Sequence, residues 1–357
     1  MLRTHVLSGP DSMDEIRAEW QELAYESPTA TPFQTWEWQS AWLRHYLRRK
    51  RALVVAVREG GDLVGLMPLT RSIGMWRTLR AMGSGSSDYL HPLAREGCEE
   101  VVASEIAQCL REVTRVDLID LHQVRETQPL AGFASGELRK EQSTCLLLDL
   151  PDSYETYLST LSKSLRYDVR RLEKSLFKEG RATVEPVAEG QIGLGLDILF
   201  EQHKLRWRNR GLPGAFLGRA QRFHHDWARL AIEHGWLWLS ILKLDSEPIG
   251  AIYAMRMGTT CYYYQAGFDP SKGSISPGTL LVAATIRRAI EEGLQHFDFL
   301  RGDEPYKRRW RPQHEFKNYR ILYSRNPHRG GIGASWNEAS GKVETKIRAR
   351  LEGRGLI

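Results

Sequence analysis

One order of hydrophobic patterns occurs twice along this chain, and that repetition restricts the fold more than any single motif. ALVVAVRE (52–59), a turn at Gly60 and Gly61, and DLVGLMPLT (62–70) predict an antiparallel hairpin, to which MWRTLRAM (75–82) adds a strand. A Gly/Ser loop, GSGSSDYLHP (83–92), a helix from about Cys98 to Val113 and the strand VDLIDL (116–121) complete the set. The second occurrence begins with WLWLSILK (236–243), PIGAIYAMRM (248–257) and CYYYQAGF (261–268), a three-strand meander. A Gly/Ser/Pro loop, the helix PGTLLVAATIRRAIEEG (277–293) and the strand FDFL (297–300) follow. Val64-Gly65 echoes Ile249-Gly250 at an offset of 185, and Asp117 echoes Asp298 at an offset of 181. Nearly equal offsets predict an internal duplication of an α/β unit with mixed sheets.

What surrounds the repeats fits two units. Ser12, with Glu15 three residues on, is a capping-box signal for a helix to about Tyr25, and Gln34 to Arg49 carries a second helical pattern. Between the repeats, Asp152 to Lys178 places Leu158, Leu161, Leu165, Val169, Leu172 and Leu176 three or four residues apart, which predicts one long helix. The expected division is a first unit at 1–150, a connecting helix at 151–180, a second unit at 181–326 and a basic tail at 327–357 that ends in a short helix. No run approaches the ~18 apolar residues of a membrane helix, and the start lacks a signal-peptide pattern, so a cytoplasmic protein is expected. The four cysteines keep no metal-ligand spacing, so no metal is expected. Residues 306–357 hold 13 Lys and Arg against 4 Asp and Glu, more than the whole net charge of +6. Such a segment attracts phosphates or is a solvated face; a nucleic-acid partner is not expected from it.

Two stretches carry chemistry. In GSISPGTLL (273–281), Ser276 suits an N-cap and Pro277 the first helical position, and Gly278, Thr279 and Leu280 then offer backbone N–H groups to an anion, with Gly273 permitting close approach. In HFDFLRGDEPYKRRWRP (296–312), a strand emerges into charge. Asp303 or Glu304 can act as a base or orient a cationic substrate, Tyr306 can donate a proton to a leaving group, and Arg301 or Lys307 can bind phosphate. A salt-bridged turn sealed by Trp310 is the competing reading. Gln265 can present its amide to a bound chain, His203 shares a helical surface with Trp207, and Ser87, Asp88 and Tyr89 can contact an acceptor; packing alone would also explain each of them. GxxxxGK[ST], GxGxxG and GxSxG are all absent, which favours direct transfer from an activated donor over covalent or metal catalysis.

PFQTWEW (32–38), PIGAIYA, SPGTLL and above all FDFLRGDEPYKRRW together resemble the CelD/BcsL-type, or BioF-like, acetyltransferases of the GNAT superfamily, over most of residues 20–325. The duplication resembles the FemAB-like arrangement. The resemblance implies an α/β fold of tandem GNAT-like acyltransferase units joined by a long helix. It implies acetyl-CoA or another acyl-CoA as co-substrate, with pantetheine between two splayed parallel strands, Tyr262–Phe268 and Phe297–Arg301, and pyrophosphate at Lys272–Thr279. The acceptor would be an amine of a sugar, polysaccharide precursor or amino acid. GSISPGT departs from the usual GNAT loop of a basic residue or Gln followed by GxG/A, which keeps a carrier-protein thioester or an aminoacyl-tRNA open as donor. A non-catalytic partner in polysaccharide assembly is a further alternative.

Overall fold

The computed structural model describes residues 1–9, 11–47, 51–72, 77–114, 116–127, 130, 137–208 and 214–324. The basic tail, where a short helix was expected, and the first two residues of MWRTLRAM lie outside these. Two compact units emerge: unit 1 takes in Met1–Ser143 and the described residues from Phe316 onward, and unit 2 is Thr144–Glu315. The borders differ from the expected 150 and 326 because two strands, both missed from sequence, carry the chain across them.

Unit 1 opens with an unanticipated strand, β1 (Leu2–Ser8), which pairs with the first hairpin strand. The helix expected from Ser12 divides at Ile16 into α1 (Ser12–Glu15) and α2 (Arg17–Glu26). Its capping box does not form, since Ser12 donates to the Gly9 carbonyl instead, at 3.0 Å. The box forms at Thr31, whose N–H donates to Gln34 Oε1 at 3.0 Å, and Thr35 then caps α3 (Trp36–Tyr46) by accepting the Trp38 N–H at 3.2 Å. The hairpin follows as β2 (Ala52–Glu59) and β3 (Asp62–Arg71), then β4 (Thr78–Ala81), β5 (Leu93–Ala94), α4 (Glu99–Glu112) and β6 (Leu118–Arg125).

The chain enters unit 2 along β7 (Glu137–Asp149). The expected long helix is two, α5 (Tyr154–Thr160) and α6 (Lys163–Leu172), the second continued by a π-helical turn at Glu173–Phe177. The break comes where Ser162 starts a new helix, its hydroxyl accepting the Leu165 N–H at 3.2 Å. The six spaced apolar residues are buried in one core all the same. Then come β8 (Ala182–Pro186), α7 (Ile192–Arg208), α8 (Arg219–Ile232), the meander β9 (Leu237–Leu244), β10 (Glu247–Met257) and β11 (Thr260–Phe268), α9 (Pro277–Glu291), β12 (His296–Arg301) and the short α10 (Pro305–Arg308). The chain returns to unit 1 as β13 (His314–Ser324).

The strand order is β1-β2-β3-β4-β6-β13 in unit 1 and β8-β9-β10-β11-β12-β7 in unit 2, the same topology twice. In each, an antiparallel meander meets one parallel pair, and the sixth strand closes antiparallel to it. The parallel ladders run Thr78↔Leu118 to Arg80↔Asp120 and Thr260↔His296 to Tyr262↔Asp298. That register makes Asp120, not Asp117, the counterpart of Asp298. The glycine echo has a packing cause. A Cβ on Gly65 would stand 2.3 Å from Val102 of α4, and one on Gly250 would stand 3.2 Å from Leu281 of α9, so both glycines let the crossover helix lie close on the sheet.

Candidate active site

The ladder between β11 and β12 stops at Tyr262↔Asp298, and both strands run on, β11 to Phe268 and β12 to Arg301. A bulge on each side accompanies the parting. Against β10, the register of β11 skips Tyr264, passing from Tyr263↔Ala254 to Gln265↔Tyr253. Against β7, β12 jumps from Asp298↔Leu147 to Arg301↔Cys145, with Leu300 at φ 57. A left-handed leucine is strained, and it is held by the Asp298 carboxylate, which accepts the Leu300 N–H at 2.7 Å. Asp298 thus shapes the mouth of the cleft.

At one side of the mouth stands the start of α9. A 3₁₀ turn, Pro270–Ile275, precedes Ser276, which takes the left-handed conformation (φ 49, ψ 59). Ser276 occupies the expected N-cap position, yet its side chain caps nothing; its carbonyl instead accepts the N–H groups of Thr279 (2.9 Å) and Leu280 (3.2 Å). Those two expected anion donors are therefore spent within the first turn. Gly278 remains at the open end, where the positive pole of the α9 dipole lies, and its missing side chain makes room for the Phe268 ring, 3.0 Å from where a Cβ would be. Gly273 is exposed beside it.

The charged exit of β12 separates into a salt-bridged turn and a buried group around Tyr306. Lys307 is buried: its ammonium donates to the carbonyls of Arg301 (2.7 Å) and Gly302 (3.3 Å) and pairs with Glu304 at 3.0 Å. It closes the turn, which corrects its expected role as a phosphate ligand. Asp303 is held by Arg308 at 2.7 Å, and the same guanidinium reaches Glu315 at 2.8 Å. Asp303, one of the two expected choices of base, thus belongs to an ion-pair network on the surface, whereas Glu304, the other, stands beside Tyr306 and Tyr263. Arg301 is exposed at the end of its strand.

Glu304, Tyr306, Tyr263 and Arg206 face one another. The Tyr306 and Tyr263 hydroxyls are hydrogen-bonded, joining α10 to β11. Burial first, then Tyr263 and Glu304, raises the Tyr306 phenol well above its usual range, so it stays a neutral proton donor. Burial likewise raises Tyr263, which Arg206 also hydrogen-bonds. Arg206, from α7, donates to the Ala266 carbonyl at 3.2 Å and lies over the Phe268 ring. One turn earlier on α7, His203 is 1% exposed, set against Phe216 and Trp207, and hydrogen-bonded to Gln265. Burial, with Arg206 nearby, pushes its imidazole down to about 4, and its Nε2 has no hydrogen-bond partner. Sequence reasoning singled out His203, Gln265, Glu304 and Tyr306 but gave no role to Arg206 or Tyr263. The i, i+3 spacing of His203 and Arg206 on one helix was the available signal.

Ser87, Asp88 and Tyr89 are not at a surface. Ser87 accepts the Trp38 indole N–H at 2.8 Å, the Asp88 carbonyl accepts from Asn318 at 2.7 Å, and Tyr89 is fully buried between Phe33 and the Arg125 guanidinium. Leu90 N–H donates to the Gln123 carbonyl of β6 at 2.9 Å. In unit 1, then, the segment after β4 lines up along β6 just beyond the end of the β4–β6 ladder, where unit 2 keeps its strands apart. The expected acceptor contacts are interior polar packing. Among the described residues, no group of three or more His, Cys, Asp or Glu side chains is placed to hold a metal, and no helix is long and apolar enough to cross a membrane.

Residues 163–308 match the family model described as an acetyltransferase (GNAT) domain. No curated protein matches the sequence. Among solved structures, FemX is similar with a TM-score of 0.62 at 14% identity, over 84% of this chain and 95% of that one. A conserved protein of unknown function from Bacteroides thetaiotaomicron gives 0.58 at 11% identity, over 91% and 100%. The C-terminal domain of a putative lysylphosphatidylglycerol synthetase from Agrobacterium fabrum gives 0.57 at 12% identity, over 90% and 96%. The chain therefore has a GNAT-type acyltransferase fold built from two units, with the sequence match to the GNAT domain lying inside unit 2.

Proposed function

We propose that this protein is a cytoplasmic N-acyltransferase that moves an acetyl or longer acyl group from acyl-CoA to an amine of a sugar, polysaccharide precursor or amino acid. The observation that carries the reading is the parting of β11 and β12 between the start of α9 and the group Glu304, Tyr306, Tyr263 and Arg206. A thioester arm laid between the strands would direct its phosphates toward Gly273 and Gly278. Glu304 takes the proton released as the amine attacks the thioester carbonyl and the C–N bond forms. Tyr306 gives a proton to the departing thiolate as the C–S bond breaks, and Arg206 orients Tyr263, which in turn orients Tyr306. Gln265 presents its amide to the donor arm, and His203 meets the acceptor as a neutral hydrogen-bonding group. A CelD/BcsL-type role in exopolysaccharide or cellulose synthesis rests on PFQTWEW and FDFLRGDEPYKRRW and belongs to the same proposal.

The test is a thiol-release screen of acyl-CoA donors against sugar amines and amino acids. Amine-dependent release is expected, with Glu304→Gln and Tyr306→Phe each lowering kcat about a hundredfold. A protein that releases no thiol with any pair, and whose Tm acyl-CoA does not raise, would not be this enzyme. The likeness to FemX and to the lysylphosphatidylglycerol synthetase domain favours a second reading, aminoacyl transfer from tRNA. Tight, salt-sensitive tRNA binding together with no response to acyl-CoA would select it.

A further inference from the structure

A second gathering of charge, with no part in the transfer cluster, lies within unit 1. On the neighbouring strands β4, β6 and β13, alternation sends Leu79, Ile119, Leu121 and Ile321 into the core beneath α4. Arg80, Asp120, His122 and Arg320 stand on the other face. The Asp120 carboxylate is fully buried and accepts two bonds from Arg320, at 2.7 and 3.0 Å. Burial opposes the charge, and the bonds from His122 and Arg320 together hold the carboxylate ionised. Arg80 Nε nevertheless lies 3.3 Å from the same group and His122 Nε2 3.1 Å from it.

Two guanidiniums around one carboxylate leave one positive charge in excess, and His122, whose Nδ1 accepts from Gln142 Nε2 at 2.8 Å, adds an N–H donor beside them. Arg80 Nε makes no hydrogen bond, and 43% of the Arg80 side chain is open to solvent. The topology does not require this arginine, because the residue at the matching register position of unit 2, opposite Asp298, is Tyr262. With Asp120 shared between both guanidiniums, the positive charge that remains at this partly open site favours a second anion. Asp120 acts as the post that orients them: it ties Arg320 side-on and draws Arg80 and His122 inward.

We propose that Arg80, His122 and Arg320 form a binding site for a phosphoryl group, as carried by a sugar nucleotide. Planar guanidinium forks suit phosphate oxygens, and the surplus positive charge favours an anionic phosphate ester. The site is independent of which acyl donor unit 2 uses.

Calorimetric titration of the full chain at low salt, with inorganic phosphate, pyrophosphate and UDP-glucosamine as probes, tests it. Binding of the diphosphates is expected, weakened about tenfold or more by Arg80→Ala and less by His122→Ala. Added salt weakens it further. Equal affinity for inorganic phosphate would identify the ligand as the free ion within the same chemistry, and tighter binding of UDP-glucosamine would identify the nucleotide. The proposal is overturned if none of the three probes binds, or if Arg80→Ala binds them as the wild type does. Loss of Tm in Arg80→Ala without any anion response in the wild type would mark the cluster as a clamp for three strands. Thiol release plays no part in this readout, so its failure leaves the donor reading untouched.

Discussion

At the scale of single residues, the cleft depends on glycine in one place above all. A Cβ on Gly267 would fall 2.2 Å from the backbone nitrogen of His203, so β11 and α7 touch main chain to main chain there. Neither backbone can yield as a side-chain tip would. Gly267→Ala is expected to cost about 1–3 kcal/mol in urea unfolding, and to move His203 and Arg206 together away from Gln265 and Tyr263. Gly273→Ala, at an exposed position with open space around it, is the control and should cost a few tenths at most. A stability loss no larger than the control's would show that α7 is not seated on Gly267. The glycine in YYYQAGF was plain in the sequence; the helix it admits was not, because α7 lies about sixty residues away along the chain.

At the scale of elements, the β12-to-α10 turn is a unit closed by one buried ammonium. Lys307→Met keeps the length of the side chain and removes the charge, leaving the Arg301 and Gly302 carbonyls and the Glu304 carboxylate without their shared partner. A loss of about 2 kcal/mol is expected from the unmet groups, with a larger fall in kcat than in donor affinity because Glu304 is freed to swing. Unchanged stability with normal turnover would remove Lys307 from the scaffold. The elements most legible in the sequence were those whose pattern is local: the β2–β3 hairpin, the β9–β10–β11 meander, α4 and α9. Among those missed were β1, β7, β8, β13 and the helix α8. LRTHVLS alternates weakly and the first half of β7, ELRKEQ, is polar, so such strands are held by ladder partners more than by a buried face of their own.

For the whole molecule, three buried histidines make stability depend on pH. Burial pushes His91 down to about 3, with Arg125 adding to it; burial pushes His203 to about 4, with Arg206 adding; and burial pushes His224 to about 3. In the unfolded chain these imidazoles take up protons near pH 6.5, whereas in the folded chain they stay neutral until far lower pH. Stability is therefore full above about 6.5 and falls as pH drops toward 4, by roughly 1 kcal/mol per histidine per pH unit. Urea unfolding between pH 7.5 and 5 should show this slope, and His224→Phe, which keeps a ring among Phe216, Phe223 and Tyr264, should flatten it by about a third. A slope unchanged in that variant would mean that His224 does not stay neutral in the fold. The sequence by itself determined the duplication, the order of meander, helix and strand, and the concentration of Glu304, Tyr306 and the α9 start around one strand exit, because each is written in neighbouring residues. Only the tertiary structure decided that Lys307 and Asp303 are engaged in ion pairs of the turn, that Ser87 to Tyr89 are interior, that Arg206 and Tyr263 stand beside Tyr306, and that Asp120 gathers two arginines and a histidine. The contacts of Lys307 and Asp303 are local and follow from how the turn folds; the other outcomes depend on contacts between residues far apart in the chain, and on strands a one-residue shift in register turns a side chain to the other face.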